Sequence, residues 1–252
     1  MDTEGALIEL KEVLGQNPSL SLVIPTKNES TNVHPLLDSL HVNLVTIPSQ
    51  IIFVDDSDDN TVEVIRSYPT EIPITVIQRR KEERTNGLAG ALKRGFDIAD
   101  GKVLGVMDSD LQHPPELLPT LYGLIDKYDI VIASRYIPGA SNEGLRTPYR
   151  RIVSTGSIMI AQFIFPQLRE IKDTCSGYFM IQRQLVEDAH LNPYGFKMLL
   201  ELLVRTKWNS LLEVPYEFQS RARGESKASV KQGLMYYYHL YLLFRDRLIG
   251  KL

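Results

Sequence analysis

The sequence predicts an α/β protein whose central sheet is mainly parallel and flanked by helices. Three observations carry that expectation. Apolar runs rich in β-branched residues recur at 20–25, 50–54, 72–77, 102–107 and 129–133. Segments of helical length separate most of them, the alternation expected of βαβ units. Runs such as "VLGVMD" and "DIVIAS" are apolar without interruption, as strands buried on both faces are.

At 252 residues, 43% hydrophobic and 23% charged, the chain can bury a substantial core as one domain, or as a domain with a tail. A net charge of -3 provides no global attraction to nucleic acid, which is not an expected partner, or to an anionic membrane. Phosphate binding must come from local clusters. The single cysteine, Cys175, cannot form an internal disulfide and has no histidine nearby in sequence, so it reads as a small buried residue. No basic segment followed by an apolar one opens the chain, and a reducing, cytoplasmic compartment is the expectation. The most membrane-like stretch, 234–244, falls short of the roughly 20 apolar residues of a spanning helix and is interrupted by His239.

In open parallel sheets the ligand site lies beyond the carboxyl ends of the strands. The first strand ends in Pro25-Thr26-Lys27-Asn28-Glu29, the second in Asp55-Asp56-Ser57-Asp58-Asp59 and the fourth in Asp108-Ser109-Asp110. Asp58, Asp59 and Thr61 read as a helix start, where Asx and Thr side chains cap and acidic groups suit the dipole. The charge run from Arg79 to Arg84 reads as a solvated face with a weak donor-binding role, ahead of the Gly-rich "NGLAGAL". The segment 106–116 delivers two carboxylates and an amide before a Pro pair opens a helix. Asp110 and Gln112 flank Leu111, so both can face one hard divalent cation, with phosphate and water completing its shell. Asp108 either ligates too or holds sugar or ribose.

The second half is different in character. Arginines at 146, 150 and 151 precede strand candidates at 178–182 and 212–218, with a helical 197–207 between them. Arg150 and Ser154, at i, i+4, share one helix face. The Tyr-rich stretch 230–252 has apolar residues at helical spacing and ends near Arg245, Arg247 and Lys251. It reads as an amphipathic helix on a membrane surface, or as a docked final helix with a solvated end.

The ordered motifs "VIPTKNE", "IIFVDDSDDNT", "MDSDLQHPPE", "IASRY", "TCSGYFMI" and "RARGESK" span about 20–227. Together they resemble the inverting family-2 glycosyltransferases, and within them the dolichyl-phosphate mannose synthase group. The resemblance implies a GT-A fold, the Rossmann-like fold of nucleotide-diphospho-sugar transferases, over 1–229. It implies Mg²⁺ or Mn²⁺ as cofactor. The implied reaction moves a hexose, mannose from GDP-mannose, onto dolichyl or polyprenyl phosphate with inversion. Two alternatives stay open: a UDP-glucose-dependent polyprenyl-phosphate glucosyltransferase, and a family-2 transferase with a hydroxyl acceptor.

Carried onto this chain, the resemblance places Pro25, Thr26, Glu29, Asp55 and Asp56 around the nucleoside, and Asp108, Asp110 and Gln112 at the metal. Arg221 and Lys227, across a turn at Gly224, would close on the diphosphate, and Arg135, Arg150 and Ser154 would meet the acceptor phosphate. Arg146 and Arg151 are spare cations or surface charge. Asp173 is expected to position sugar or loop, since a phosphate acceptor is already an anion and needs no base. The enzyme is expected to be peripheral on the cytosolic face of a membrane, held by the terminal helix or by a small membrane-anchoring partner.

Overall fold

The computed structural model describes residues 18–141, 148–219 and 230–251, with the backbone alone at 148–154 and 230–232. Its strands form one seven-stranded sheet in the order β3-β2-β1-β4-β6-β5-β7. The strands are β1 (Leu20–Thr26), β2 (Ser49–Asp55), β3 (Ile74–Gln78), β4 (Val103–Val106), β5 (Ile130–Ser134), β6 (Phe179–Gln182) and β7 (Leu211–Pro215). Pairing is parallel except where β6 runs antiparallel to β4 and β5. All seven strand expectations hold, with ends displaced by a few residues at most.

Period-two alternation divides the strand side chains between two cores. On one face Val23, Ile52, Val54, Val106 and Ile132 pack with helices α3 (Gly87–Phe96), α5 (Pro148–Ile164), α7 (Met198–Arg205) and α8 (Val230–Leu248). On the other, Leu22, Ile24, Phe53 and Val131 pack with α1 (Ser30–Leu44) and α4 (Leu118–Ile125). Two short helices, α2 (Thr61–Ser67) and α6 (Arg183–Glu187), complete the layers. Gly95 lets α3 lie directly on β1, since a Cβ there would stand 2.3 Å from Val23 Cγ1.

The terminal helix is docked. It contributes Tyr236, Leu240 and Leu243 to the first core, while Leu234, Tyr237, Tyr238, Tyr241, Phe244 and Leu248 face outward. Its anchor is polar. Glu201 on α7 is fully buried and accepts from Arg205, His239 and the Asn192 backbone, and Arg205 also reaches Asp246. Removing one partner of such a network strands the others in low dielectric. Glu201→Ala is therefore expected to lower unfolding stability by about 3–5 kcal/mol, measured by urea denaturation, with α8 losing amide-exchange protection first.

Candidate functional site

The ends of β1 and β2 are joined by side chains. Asp55 is wholly buried, and its carboxylate accepts from Thr26 Oγ1 at 2.7 Å, from Ser57 Oγ at 2.6 Å and from the Ser57 N–H at 3.0 Å. Ser57 Oγ accepts in turn from the Asn28 N–H at 2.7 Å, with Asn28 at a φ of 54° that asparagine tolerates. Thr26, Asp55 and Ser57 thus shape the cleft floor, while Pro25 offers its carbonyl to Ser109 Oγ at 3.2 Å. Glu29 accepts from Asn32 Nδ2 at 2.7 Å. Asp59 accepts from the Thr61 N–H and hydroxyl where α2 begins, although the N-cap residue, Asn60, makes no side-chain cap bond.

Asp56 is gripped by the Arg79 fork, at 2.8 and 2.6 Å. The same guanidinium donates to the carbonyls of Thr85 and Gly87, and Arg84 donates to Asp58 and to the Ser57 carbonyl. The expectation of a solvated charge run holds for Arg80, Lys81, Glu82 and Glu83, which are exposed, and is corrected for Arg79. Arg79 is only 5% exposed, because its fork ties the β2 end to the loop that opens α3. Spacing alone gave no sign of that pairing, since Asp56 and Arg79 meet only when β2 and β3 lie side by side.

Beyond β4 the chain reverses sharply at Leu111, whose φ of 61° is unfavourable for a side chain of that shape. The reversal lets the Asp110 carboxylate accept from the Gln112 N–H at 3.1 Å. Gln112 Nε2 donates to the Gln219 carbonyl at 2.8 Å, and the Gln219 N–H returns a bond to the Gln112 carbonyl. The metal candidates are thereby stitched to the base of the segment that carries Arg221 and Lys227, which themselves lie outside the described residues. Asp110 and Gln112 are buried, whereas the Asp108 side chain is 38% exposed. No group of three His, Cys, Asp or Glu side chains forms a metal cluster among the described residues. Two carboxylates and an amide oxygen nevertheless suit a hard cation that takes its other ligands from phosphate and water.

His113 supports this turn from below. Its Nδ1 accepts the Asp108 N–H at 2.9 Å, so the neutral ring carries its proton on Nε2, 3.8 Å from Asp108 Oδ2. The ring stacks on Tyr178 at 5.1 Å. Burial pushes its pKa down to about 4, against the pull of Asp110.

The end of β5 is organised by a buried ion pair. Arg135, directly after β5, places Nε and Nη2 on the two oxygens of Asp173, each at 2.8 Å, and its own N–H adds a bond of 3.1 Å. Burial opposes the Asp173 charge, but Arg135 outweighs it and holds the carboxyl below its ordinary range. Glu213 on β7 fixes the loop by accepting from the N–H groups of Lys172 and Asp173. The chain then runs through Cys175, which is buried as expected, to Gly177. A Cβ on Gly177 would stand 3.3 Å from His113 and 3.4 Å from Asp108, so this glycine brings the Asp173 loop against the β4 turn. Arg150 and Ser154 lie on α5, with side chains outside the described set, as is that of Arg151. Arg146 lies outside the described residues entirely.

Sequence reading missed Lys197 and Tyr216. Lys197 donates from Nζ to the Cys175 carbonyl at 2.9 Å, and Tyr216 forms part of the wall with His113, Tyr178 and Phe218. One signal was available for the lysine, a lone cation opening the otherwise apolar "MLLELLV".

An acidic cleft at the switch point of a mixed sheet, facing an arginine-carboxylate pair, defines a GT-A transferase domain. The Glycosyl transferase family 2 profile matches residues 21–189, and the chain belongs to that family of glycosyltransferases. A dolichol-phosphate mannosyltransferase of Pyrococcus furiosus is 42% identical over 228 residues, covering 90% of this chain and 64% of the relative. The chain therefore spans less than two thirds of that relative's length. A dolichol-phosphate mannosyltransferase of Mycosarcoma maydis is 36% identical over 91% of this chain and 80% of its own. Glucosyl-3-phosphoglycerate synthase from Mycobacterium tuberculosis, crystallised with Mn²⁺, UDP and its product, shares the fold with a TM-score of 0.65. Its sequence identity is 18%, and the match covers 95% of this chain and 83% of that one.

The depressed His113 pKa has a consequence for stability. Between pH 6.5 and about 4 the unfolded chain binds a proton there that the folded chain does not, so folded-state stability falls as pH drops through that window. In metal-free protein this single group is expected to account for roughly 2–3 kcal/mol. Comparison of urea midpoints at pH 7 and 5 for wild type and His113→Asn checks it, with the variant showing the smaller difference.

Proposed function

We propose that the chain transfers mannose from GDP-mannose to a dolichyl or polyprenyl monophosphate with inversion, at a membrane surface on the cytosolic side. The observation that carries this reading is the state of Asp173. A transferase acting on a hydroxyl needs a carboxylate free to take a proton. Here the carboxylate is 0% exposed and spent on Arg135, so the acceptor side offers cations in place of a base. That suits an acceptor already anionic at neutral pH. The names of the two relatives support mannose transfer and dolichol phosphate.

In this reading Pro25, Thr26, Glu29, Asp55 and Asp56 build the nucleoside end of the cleft, and Asp110 and Gln112, with Asp108, would hold Mg²⁺ or Mn²⁺. A cation bound there would offset charge on the departing diphosphate. Arg221 and Lys227 would act on the same diphosphate as charge-assisted donors. Arg135, Arg150 and Ser154 align the acceptor phosphate for attack on the anomeric carbon from the face opposite the diphosphate. The bond from that carbon to the acceptor oxygen forms as its bond to the diphosphate oxygen breaks, and no proton needs to be removed. Alignment and charge neutralisation supply the rate.

The lipid tail stays in the bilayer, and no described helix is long and apolar enough to cross one. The outer faces of α5 and α8 supply a surface instead. Tyr236 donates to the Ser157 carbonyl and Arg247 to that of Ile164, so the helices lie side by side. Phe163, 85% exposed, and Met159 face outward on α5, and Tyr241 and Leu248 face outward on α8, close in sequence to Arg245 and Lys251. Such a face suits the interface of an anionic bilayer.

A donor screen with a short-chain isoprenyl phosphate and Mg²⁺ or Mn²⁺, read by mass spectrometry, is expected to give the isoprenyl-phosphate mannose from GDP-mannose. Product from UDP-glucose alone, or transfer to a sugar hydroxyl, would overturn the assignment. Asp110→Ala is expected to reduce turnover about 100-fold or more. In flotation with anionic liposomes, the Phe163→Glu/Tyr241→Glu variant should remain largely in the unbound fraction while wild type floats.

A further inference from the structure

Around Asp173 the protein provides more hydrogen-bond donors than acceptors. Both carboxylate oxygens are taken by Arg135, yet Arg135 Nη1 has no partner among the described residues. Lys197 brings an ammonium whose one polar partner there is the Cys175 carbonyl, leaving two of its three N–H donors unmet. Tyr216, 5% exposed, has a buried hydroxyl with no hydrogen-bond partner. The three come from different places: the end of β5, the residue before α7 and the residue after β7.

These donors share one locality. Lys197 lies where the charges of Arg135, Asp173 and Asp108 act on it, and Tyr216 lies where Arg135, Asp173, Asp108 and Asp110 do. Burial raises the Tyr216 pKa, so the phenol keeps its proton and remains a donor. A buried hydroxyl without a partner is unfavourable, and the N–H donors of Arg135 and Lys197 outnumber the acceptors that Asp173 and the Cys175 carbonyl offer them. A group that accepts from all three and carries negative charge relieves both conditions. A phosphoryl group does so, because its oxygens only accept.

We infer that Lys197 and Tyr216 join Arg135 in binding the phosphoryl oxygens of the acceptor. The inference rests on the proposed polyprenyl-phosphate acceptor and extends its site to two residues, one directly before α7 and one directly after β7. Donor diphosphate is the other source of the same chemistry, and the kinetic arms below separate the two.

Tyr216→Phe removes only the hydroxyl, and Lys197→Gln keeps an N–H donor for the Cys175 carbonyl while removing the charge. Acceptor KM, donor KM and kcat are measured for each with GDP-mannose and a short-chain isoprenyl monophosphate, together with calorimetric binding of that phosphate and the ligand-free Tm. Each variant is expected to raise acceptor KM and Kd about tenfold and leave donor KM within about twofold. The Tm of Tyr216→Phe should be unchanged or higher, because an unmet buried hydroxyl is gone. Lys197→Arg should recover part of the acceptor affinity.

Unchanged acceptor constants in both variants, beside a wild type that binds and glycosylates the isoprenyl phosphate, would overturn this inference alone. A rise in donor KM in place of acceptor KM would do the same. If Tm falls with acceptor constants intact, the two residues are structural. A wild type that neither binds nor uses the isoprenyl phosphate overturns the acceptor assignment and this inference together.

Discussion

The buried pairing of Arg135 with Asp173 is the interaction on which the β5, β6 and β7 side of the molecule depends. Two hydrogen bonds of 2.8 Å hold a guanidinium at the end of β5, and a third, from the backbone, prevents the pair from swinging as a unit. Because Asp173 sits on the loop into β6 and is braced by Glu213 on β7, the pair fixes three strands relative to one another at the edge of the cleft. Its chemistry follows from its burial. In low dielectric each ion keeps its charge only because the other is present, and both carboxylate oxygens are taken up by the arginine.

The donor half is built on a different principle. Carboxylates at the ends of β1, β2 and β4 are gathered where parallel strands terminate. Most are satisfied from within: Asp55 by Thr26 and Ser57, Asp56 by Arg79, and Asp110 by the Gln112 backbone. The result is a rigid floor whose shape is set before a ligand arrives, the condition under which preorganised groups stabilise developing charge. Gly177 joins the halves, since a Cβ there would make tight contacts of 3.3 Å with His113 and 3.4 Å with Asp108. A chain with a net charge of -3 thus gathers acidic strand ends next to the buried cations Arg135 and Lys197.

The last helix connects this site to the molecule's apolar outer face. Its inner side reaches Glu201 through His239 and α5 through Tyr236, and Glu201 also holds the Asn192 backbone on the segment that leads into Lys197. Surface and site are therefore parts of one packed body, and an acceptor whose head group enters the cleft while its tail stays in lipid would meet both.

The alternation of apolar runs determined the α/β class and all seven strands, because strands buried on both faces leave a local signature. The acidic strand ends and the "MDSDLQHPPE" segment marked the donor cleft for the same reason, since their residues are neighbours in sequence. The docked inner face of α8 was visible only as one of two alternatives. What the sequence could not disclose were contacts between distant residues. Arg79 read as surface until β2 and β3 placed it against Asp56, 23 residues away, and Asp173 became a partner of Arg135 only across 38 residues. Lys197 and Tyr216 carried no motif. Local composition records which faces are buried, but charge pairing, unmet donors and strained turns depend on which strand ends the tertiary structure brings together. For that reason the sequence by itself determined the class of fold and the acidic strand ends, while only the folded molecule decided that Asp173 is buried against Arg135.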